Sequence, residues 1–181
     1  MKRQSAVFKS VRLLTLAAML TAISVVIGVL CKNFLNFGGG LFRITFENMP
    51  IILAGVILGP AAGCAVGVAS DLVSYLLSSQ VYPPNLVVTL GAASVGVVSG
   101  LVAKLLRGKG DALRLALSGV AAHAVGSLVI KTLGLYKYYG IMVLWRIPIY
   151  ALIAPIEIAI LIWLFKHPAT GRLFEGVKEK K

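Results

Sequence analysis

The chain has 181 residues, 59% of them hydrophobic, and a mean hydropathy of +0.93. This composition excludes an ordinary water-soluble domain, which is about half apolar and about a quarter charged, and indicates an integral membrane protein. A net charge of +12 would suggest a nucleic-acid partner for a soluble protein, but in a membrane protein the distribution of charge is what matters. We therefore predict one transmembrane domain over residues 1–181. This domain is expected to lie in a lipid membrane and not to bind nucleic acid.

Apolar runs separated by Gly, Pro and charged residues predict an all-α bundle of six transmembrane helices. Gly59 and Pro60 leave so short a connection that the second and third spans must form an antiparallel hairpin. The first span follows basic residues, as in a signal peptide, but it lacks a convincing small-x-small cleavage site, so we expect a retained helix. The six spans are predicted at about residues 11–30, 43–58, 61–79, 86–106, 112–135 and 141–166.

The basic residues are distributed unevenly between the two ends of these spans. If the N-terminus is cytoplasmic, thirteen of the eighteen basic residues lie on the cytoplasmic side. Because Lys and Arg are enriched in cytoplasmic loops, both termini are predicted to be cytoplasmic. The basic residues left toward the outside are Lys32, Arg43, Lys131, Lys137 and Arg146.

Five charged side chains within the predicted spans lie together in the outer half of the bilayer. Each costs at least about 2.5–3.5 kcal/mol at membrane depth, so their concentration in one layer indicates a polar ligand site. Basic residues outnumber acidic ones here, and Lys32 and Lys137 add positive charge at the rim, so an organic anion is favoured as the ligand. The charged residues are Arg43, Glu47, Asp71, Lys131 and Arg146.

Two of these charges and several aromatic residues allow a more detailed prediction. Arg43 and Glu47 are one helical turn apart at the start of span two, so both are expected on one face, as an ion pair or as ligand contacts. Trp145, and Tyr82 in the loop that ends at Asn85, are placed to stack on a planar ligand. An aromatic belt at the membrane interface explains most of the other aromatic residues.

The remaining polar residues do not suggest a reaction centre. His123 and Glu157 lie deeper in the membrane, where satisfied buried polar groups are a better interpretation than a proton relay. Cys31 and Cys64 fall at different depths, which argues against a disulfide, and neither has a partner at metal-ligand spacing. Without a nucleophile and neighbouring base or a phosphate-binding loop, we predict no enzyme activity, no metal and no covalently bound cofactor.

Small residues at four-residue spacing predict close packing between helices in lipid. The pairs Gly63–Gly67 and Gly96–Gly100 are interpreted as packing the chain's own bundle. Ala18 and Ala22 form a smooth face on the first span, without ionisable residues, which another membrane subunit could contact.

A series of motifs, in order along the chain, resembles the S-components, which are the substrate-binding membrane subunits of energy-coupling factor (ECF) vitamin transporters. The resemblance extends over nearly the whole chain and is greatest to the folate-specific branch. The motifs are residues 43–50 (RITFENMP), 58–63 (LGPAAG), 67–72 (GVASDL), 82–85 (YPPN), 91–96 (GAASVG) and 146–150 (RIPIY).

The resemblance implies a six-helix bundle in a prokaryotic plasma membrane that captures folate with high affinity at its outer face for ATP-driven uptake. It implies a lid formed by residues 32–42, a transmembrane coupling subunit, and two cytoplasmic ATPases that hydrolyse the ATP. Ala18 and Ala22 match the family's Ala-x-x-x-Ala docking motif.

The chemistry of folate fits these residues. Its pterin ring presents an amide and amino edge suited to the carboxylate of Glu47 or Asp71. Its glutamate tail carries two carboxylates, for which Arg43, Lys131 and Arg146 are the predicted partners. The predicted ligand residues are Arg43, Glu47, Asp71, Tyr82, Asn85, Lys131, Trp145 and Arg146.

Other functions stay open at this point. Within the S-components, thiamine is disfavoured as the substrate because it is cationic. Pantothenate, which is a small monoanion, and a queuosine precursor stay as alternative substrates. In a different class, an autonomous carrier or channel would need polar groups through the whole depth of the membrane. Only His123 and Glu157 are candidates for such deep positions.

Overall fold

A computed structural model describes residues 11–37, 42–78 and 85–167 of the chain. This part is predominantly helical, which confirms the prediction of an all-helical membrane bundle. Three helical stretches are long and apolar enough to cross a membrane, namely Val11–Phe34, Leu86–Leu105 and Asp111–Lys166. Two shorter apolar helices accompany them. The helices are α1 (Val11–Phe34), α2 (Asn48–Leu58), α3 (Pro60–Leu76), α4 (Leu86–Leu105), α5 (Asp111–Ala122), α6 (Lys131–Tyr139) and α7 (Arg146–Lys166).

The connection between α1 and α2 contains two short antiparallel strands, β1 (Asn36–Phe37) and β2 (Phe42–Arg43). Arg43 therefore lies in a strand, and the prediction that it shares a helical face with Glu47 is wrong. The physical reason is Pro50, which has no N–H to donate and is tolerated in the first turn of a helix but not in its interior. A helix that began at residue 43 would place this proline in its interior.

Helix α2 forms the centre of the bundle. All of its residues except Met49 are buried, and Ile51 and Ile52 are almost fully enclosed. It packs against α3 and α4 and reverses direction at Gly59, whose φ of 104° lies in the left-handed region that favours glycine. Pro60 then begins α3, a position where its missing N–H costs nothing. The predicted hairpin at this position is present.

Glycines bring α2, α3 and α4 into backbone contact. A Cβ atom on Gly96 would lie 2.1 Å from the carbonyl oxygen of Gly63, and one on Gly55 would lie 2.5 Å from the carbonyl oxygen of Gly96. A Cβ atom on Gly67 would lie 2.3 Å from the carbonyl oxygen of Ala92. The small-residue pairs therefore pack the chain's own bundle, as predicted, because only glycine permits such close helix contact.

The second half of the bundle contains two departures from α-helical geometry. A π-helix, His123–Ile130, joins α5 to α6, and a 3₁₀ helix, Gly140–Trp145, joins α6 to α7. The chain reverses at Gly140, where φ is 55°, and α7 returns along α5. The π-helix ends directly before Lys131, so its wider turns determine which way that side chain points.

Candidate functional site

A small polar cavity, closely filled by the side chains that line it, lies where α1, α3, α4 and α6 surround the beginning of α2. It brings together Glu47, Asp71 and Lys131, which the sequence distributes over three different segments. The full set of lining residues is Ser24, Glu47, Ile51, Ser70, Asp71, Ala92 and Lys131.

An ion pair crosses this cavity. The ammonium of Lys131 lies 3.4 Å from Oε1 of Glu47 and donates a hydrogen bond of 3.1 Å to Oδ1 of Asn48. Asn48 in turn donates to the hydroxyl of Ser127, on the π-helix, at 3.4 Å. Lys131 is only 1% exposed and Glu47 only 6%, so the pair is inaccessible to bulk water. A charge pair this deeply buried requires exact mutual placement, because each partner has lost its hydration.

Neighbouring groups hold Glu47 in place. The hydroxyl of Ser24 donates a hydrogen bond of 2.7 Å to the backbone carbonyl of Glu47, and the Glu47 N–H donates to the hydroxyl of Thr45. Gly28 on α1 faces the carboxylate, since a Cβ atom there would lie 2.9 Å from Oε2. The carboxylate thus rests against bare α1 backbone on one side and faces Lys131 on the other.

Lys131 also depends on a glycine for its position. A Cβ atom on Gly91 of α4 would lie 2.5 Å from Cγ of Lys131. Because Gly91 has no side chain, the side chain of Lys131 can pass close to the α4 backbone and reach Glu47.

The opposite wall of the cavity is formed by α3. Asp71 is half-buried, and its Oδ2 accepts a hydrogen bond of 2.8 Å from the hydroxyl of Thr89 on α4. Ser70 is 3% exposed, and its hydroxyl has no hydrogen-bond partner among the described residues. A buried hydroxyl without a partner costs free energy, and a polar ligand group in the cavity would supply one.

A second polar cluster lies between α7 and the π-helix. Arg146 donates a hydrogen bond of 3.4 Å to the hydroxyl of Tyr150, and its guanidinium lies 5.3 Å from the centre of that ring. The Tyr150 ring contacts His123, and Nε2 of His123 lies 2.7 Å from Oε2 of Glu157. His123 and Glu157, each predicted separately as a buried polar group, are both buried and face each other. Arg146 is buried in this cluster and does not line the cavity of Glu47 and Asp71.

The sequence matches the family described as "ECF transporter, substrate-specific component" over residues 12–170. The chain belongs to this family. Members of this family, the S-components, are substrate-binding subunits of transporters rather than enzymes. The fold of this S-component is similar to a crystal structure of FolT bound with folic acid, with a TM-score of 0.64. The two are 22% identical in sequence, and the similarity covers 85% of this chain and 94% of the FolT chain. No curated protein matches this sequence.

The other predicted ligand residues of the S-component have different surroundings. Asn85 caps α4, where its Oδ1 accepts from the N–H of Val87 and its Nδ2 donates to the carbonyl of Gly134 at 2.5 Å. Trp145 is 61% exposed, at the end of the 3₁₀ helix. Tyr82 and the side chain of Arg43 lie outside the described residues.

Three polar residues on α1 and α3, namely Lys32, Ser70 and Ser74, were not among the predicted ligand residues. Lys32 was predicted at the rim, as the first residue of the lid, but α1 continues to Phe34 and Lys32 is only 6% exposed. Its ammonium donates a hydrogen bond to the hydroxyl of Ser74 on α3. The sequence contains a signal for the two serines. Ser70 and Ser74 are four residues apart and therefore lie on one face of α3, and Ser70 lines the cavity.

Proposed function

We propose that this S-component captures folate, with the pterin ring bound in the cavity lined by Glu47, Asp71 and Lys131. The observation that carries this proposal is the meeting of two carboxylates and one ammonium in a single buried cavity. Charged groups inside a membrane protein are costly and are kept for function, so the cavity is the best candidate for a ligand site.

The chemistry of the pterin supports this assignment. Its ring carries an amide and an amino group on one edge, and a carboxylate accepts two hydrogen bonds from such an edge. Asp71 is the better placed carboxylate, because it is half-buried on the cavity wall, whereas Glu47 is engaged with Lys131. The hydroxyl of Ser70 offers a further hydrogen bond. The similarity to a FolT that was crystallised with folic acid also supports folate.

The arrangement in the membrane is part of the same proposal. We infer six spans with both termini in the cytoplasm of a prokaryotic cell, an outward-facing vitamin site, and a lid over it between α1 and α2. A transmembrane coupling subunit and two cytoplasmic ATPases would drive uptake. Ala18 and Ala22, both exposed on α1, are the proposed contact with the coupling subunit. Arg43, Tyr82, Asn85, Trp145 and Arg146 stay predicted ligand residues.

The direct test is a titration of the purified chain in detergent with folic acid, by calorimetry or tryptophan fluorescence. We expect saturable binding of one folate per chain in the absence of any partner subunit. Pantothenate and thiamine serve as parallel ligands. Binding of one of these, without binding of folate, would contradict the choice of vitamin, and binding of none would contradict capture by the isolated subunit.

Replacing Asp71 with asparagine tests the pterin contact. We expect the Kd for folic acid to rise by about tenfold or more, because a hydrogen bond to a charged group is worth about 1.5–3 kcal/mol. Asparagine preserves the shape of the side chain and can still accept from Thr89, so the fold should be retained. Asp111→Asn, on α5 away from the cavity, is the matched control and should leave the Kd unchanged. An unchanged Kd in Asp71→Asn would exclude this carboxylate from the pterin site.

A further inference from the structure

The π-helix between α5 and α6 connects two buried polar pairs, one at each of its ends. At its start, Nε2 of His123 lies 2.7 Å from Oε2 of Glu157 on α7. Directly after its end, the ammonium of Lys131 lies 3.4 Å from Oε1 of Glu47. The angle between His123 and Lys131 about the helix axis therefore determines whether both pairs can form at once.

The hydrogen bonding of the π-helix sets this angle. The N–H of Lys131 donates to the carbonyl of Gly126, five residues earlier, whereas an α-helix would use the carbonyl four residues earlier. Such a turn contains one extra residue, and each residue of an α-helix corresponds to a rotation of about 100°. A return to α-helical geometry would turn Lys131 by about 100° relative to His123. One of the two pairs would then be broken.

The contact between His123 and Glu157 holds the start of the π-helix. The two residues are only 2% and 0% exposed. Nδ1 of His123 and Oε1 of Glu157 have no hydrogen-bond partner in the described part of the chain. Two buried polar groups that separate without reaching water lose free energy that nothing else returns. Their contact therefore favours one rotational position of the π-helix against α7.

The middle of the π-helix is held by α2 and α4. Asn48 donates a hydrogen bond of 3.4 Å to the hydroxyl of Ser127, and a Cβ atom on Gly126 would lie 2.8 Å from the carbonyl oxygen of Gly91. These contacts keep the segment close to the cavity. The hydrogen bond is long, and a glycine has no side chain to oppose rotation. The shorter contact of His123 with Glu157 is therefore the stronger constraint on rotation.

Resting on the proposed function, we propose that His123 and Glu157 are positioning residues for folate binding, whose contact holds the π-helix so that Lys131 faces Glu47. Neither residue lines the cavity, so both act through Lys131. A buried polar pair at membrane depth is costly, and this role accounts for its presence. A π-helical turn is rare and occurs frequently at functional sites, which agrees with its place beside Lys131.

A paired replacement tests this role without leaving one polar group unpaired. His123→Leu combined with Glu157→Met replaces the polar contact with an apolar one, so the Tm in detergent should change little. We expect Lys131 to face Glu47 in only about one molecule in ten, which raises the Kd for folic acid about tenfold. Glu157→Gln, which can still bond to His123, should raise this Kd by less than about threefold. An unchanged Kd in the paired replacement would overturn the proposal.

A second measurement needs no ligand. Lys131→Met is introduced into the unmodified chain and into the paired replacement, and the two losses of Tm are compared. We expect the smaller loss in the paired replacement, because Lys131 has already left Glu47 there. Leu20→Ala, at a buried position on α1, is the control and should lower the Tm equally in both. Equal losses for Lys131→Met would show that the two polar pairs are independent, and positioning would be wrong.

Two further results are also decisive. If the paired replacement does not fold, Glu157→Asp is compared with Glu157→Gln, since aspartate keeps the charge but reaches one methylene less far. A larger rise in Kd for Glu157→Asp supports positioning, and an equal or smaller one overturns it. If the unmodified chain binds no folic acid, the proposed function itself fails, while the Tm comparison still decides whether the two pairs are coupled.

Discussion

Replacing Lys131 with methionine is expected to destabilise the protein by about 3 kcal/mol or more and to abolish folate binding. The Glu47 carboxylate, 6% exposed, would stay buried without the ammonium that lies 3.4 Å away. Breaking a buried ion pair on one side costs about 3–5 kcal/mol, because the remaining charge loses a charged partner and does not regain its hydration. For a chain of this size, each kcal/mol lowers the Tm by roughly 2–4 °C. Thermal unfolding in detergent, with and without folic acid, measures both effects.

A double variant separates the cost of breaking the ion pair from the loss of the ligand site. Lys131→Met combined with Glu47→Gln removes both charges, so we expect it to recover most of the Tm while folate binding stays lost. Lys104→Met, at an exposed position near the end of α4, is the matched control and should affect neither quantity. If the double variant were as unstable as Lys131→Met alone, the ion pair would not be the source of the destabilisation.

Replacing Gly96 with alanine should separate α3 from α4. The added Cβ atom would lie 2.1 Å from the carbonyl oxygen of Gly63 and 2.9 Å from the N–H nitrogen of Cys64. These are backbone atoms, which cannot rotate away as a side chain can, so a whole helix must move. Overpacking of a tight core costs about 1–3 kcal/mol and sometimes more. We expect a lower Tm and a smaller monodisperse fraction in gel filtration.

The same substitution should weaken folate binding, although Gly96 does not line the cavity. Asp71 on α3 accepts a hydrogen bond from Thr89 on α4, so a separation of the two helices would disturb the cavity wall. Gly110→Ala is the control, because a Cβ atom at Gly110 has no heavy atom within 4 Å and the residue has a negative φ. A Tm for Gly96→Ala equal to that of the control would show that α3 and α4 tolerate a wider spacing.

The positions of several helices and of the small-residue contacts could be predicted from local patterns. The hairpin at Gly59 follows from a glycine and a proline in sequence, and glycine spacing in apolar runs predicts that the pairs containing Gly63 and Gly96 pack the bundle, though not that these two glycines meet. The beginning of α2 was misplaced, because hydropathy does not distinguish an extended apolar segment from a helix. Pro50 was the local signal for the later start.

The candidate site was predictable only in part. Charges at membrane depth identified Glu47, Asp71 and Lys131, since their cost is a property of each residue in lipid. Arg146 has the same cost but is buried against Tyr150 instead. The contacts between charged side chains depend on the rotation and packing of the helices, and a hydropathy profile reports neither of these.

The sequence by itself determined that this is a helical membrane protein of the S-component family, because hydropathy, glycine spacing and motif order are properties of the linear chain. Only the tertiary structure decided that Glu47 and Lys131, 84 residues apart, form one ion pair, and that Lys32 points inward beside Ser74. The π-helix rotates Lys131, while Gly91 and Gly28 leave room for the two charged side chains. Such contacts exist only after the helices have packed, since each depends on the rotation and the separation of two helices at once.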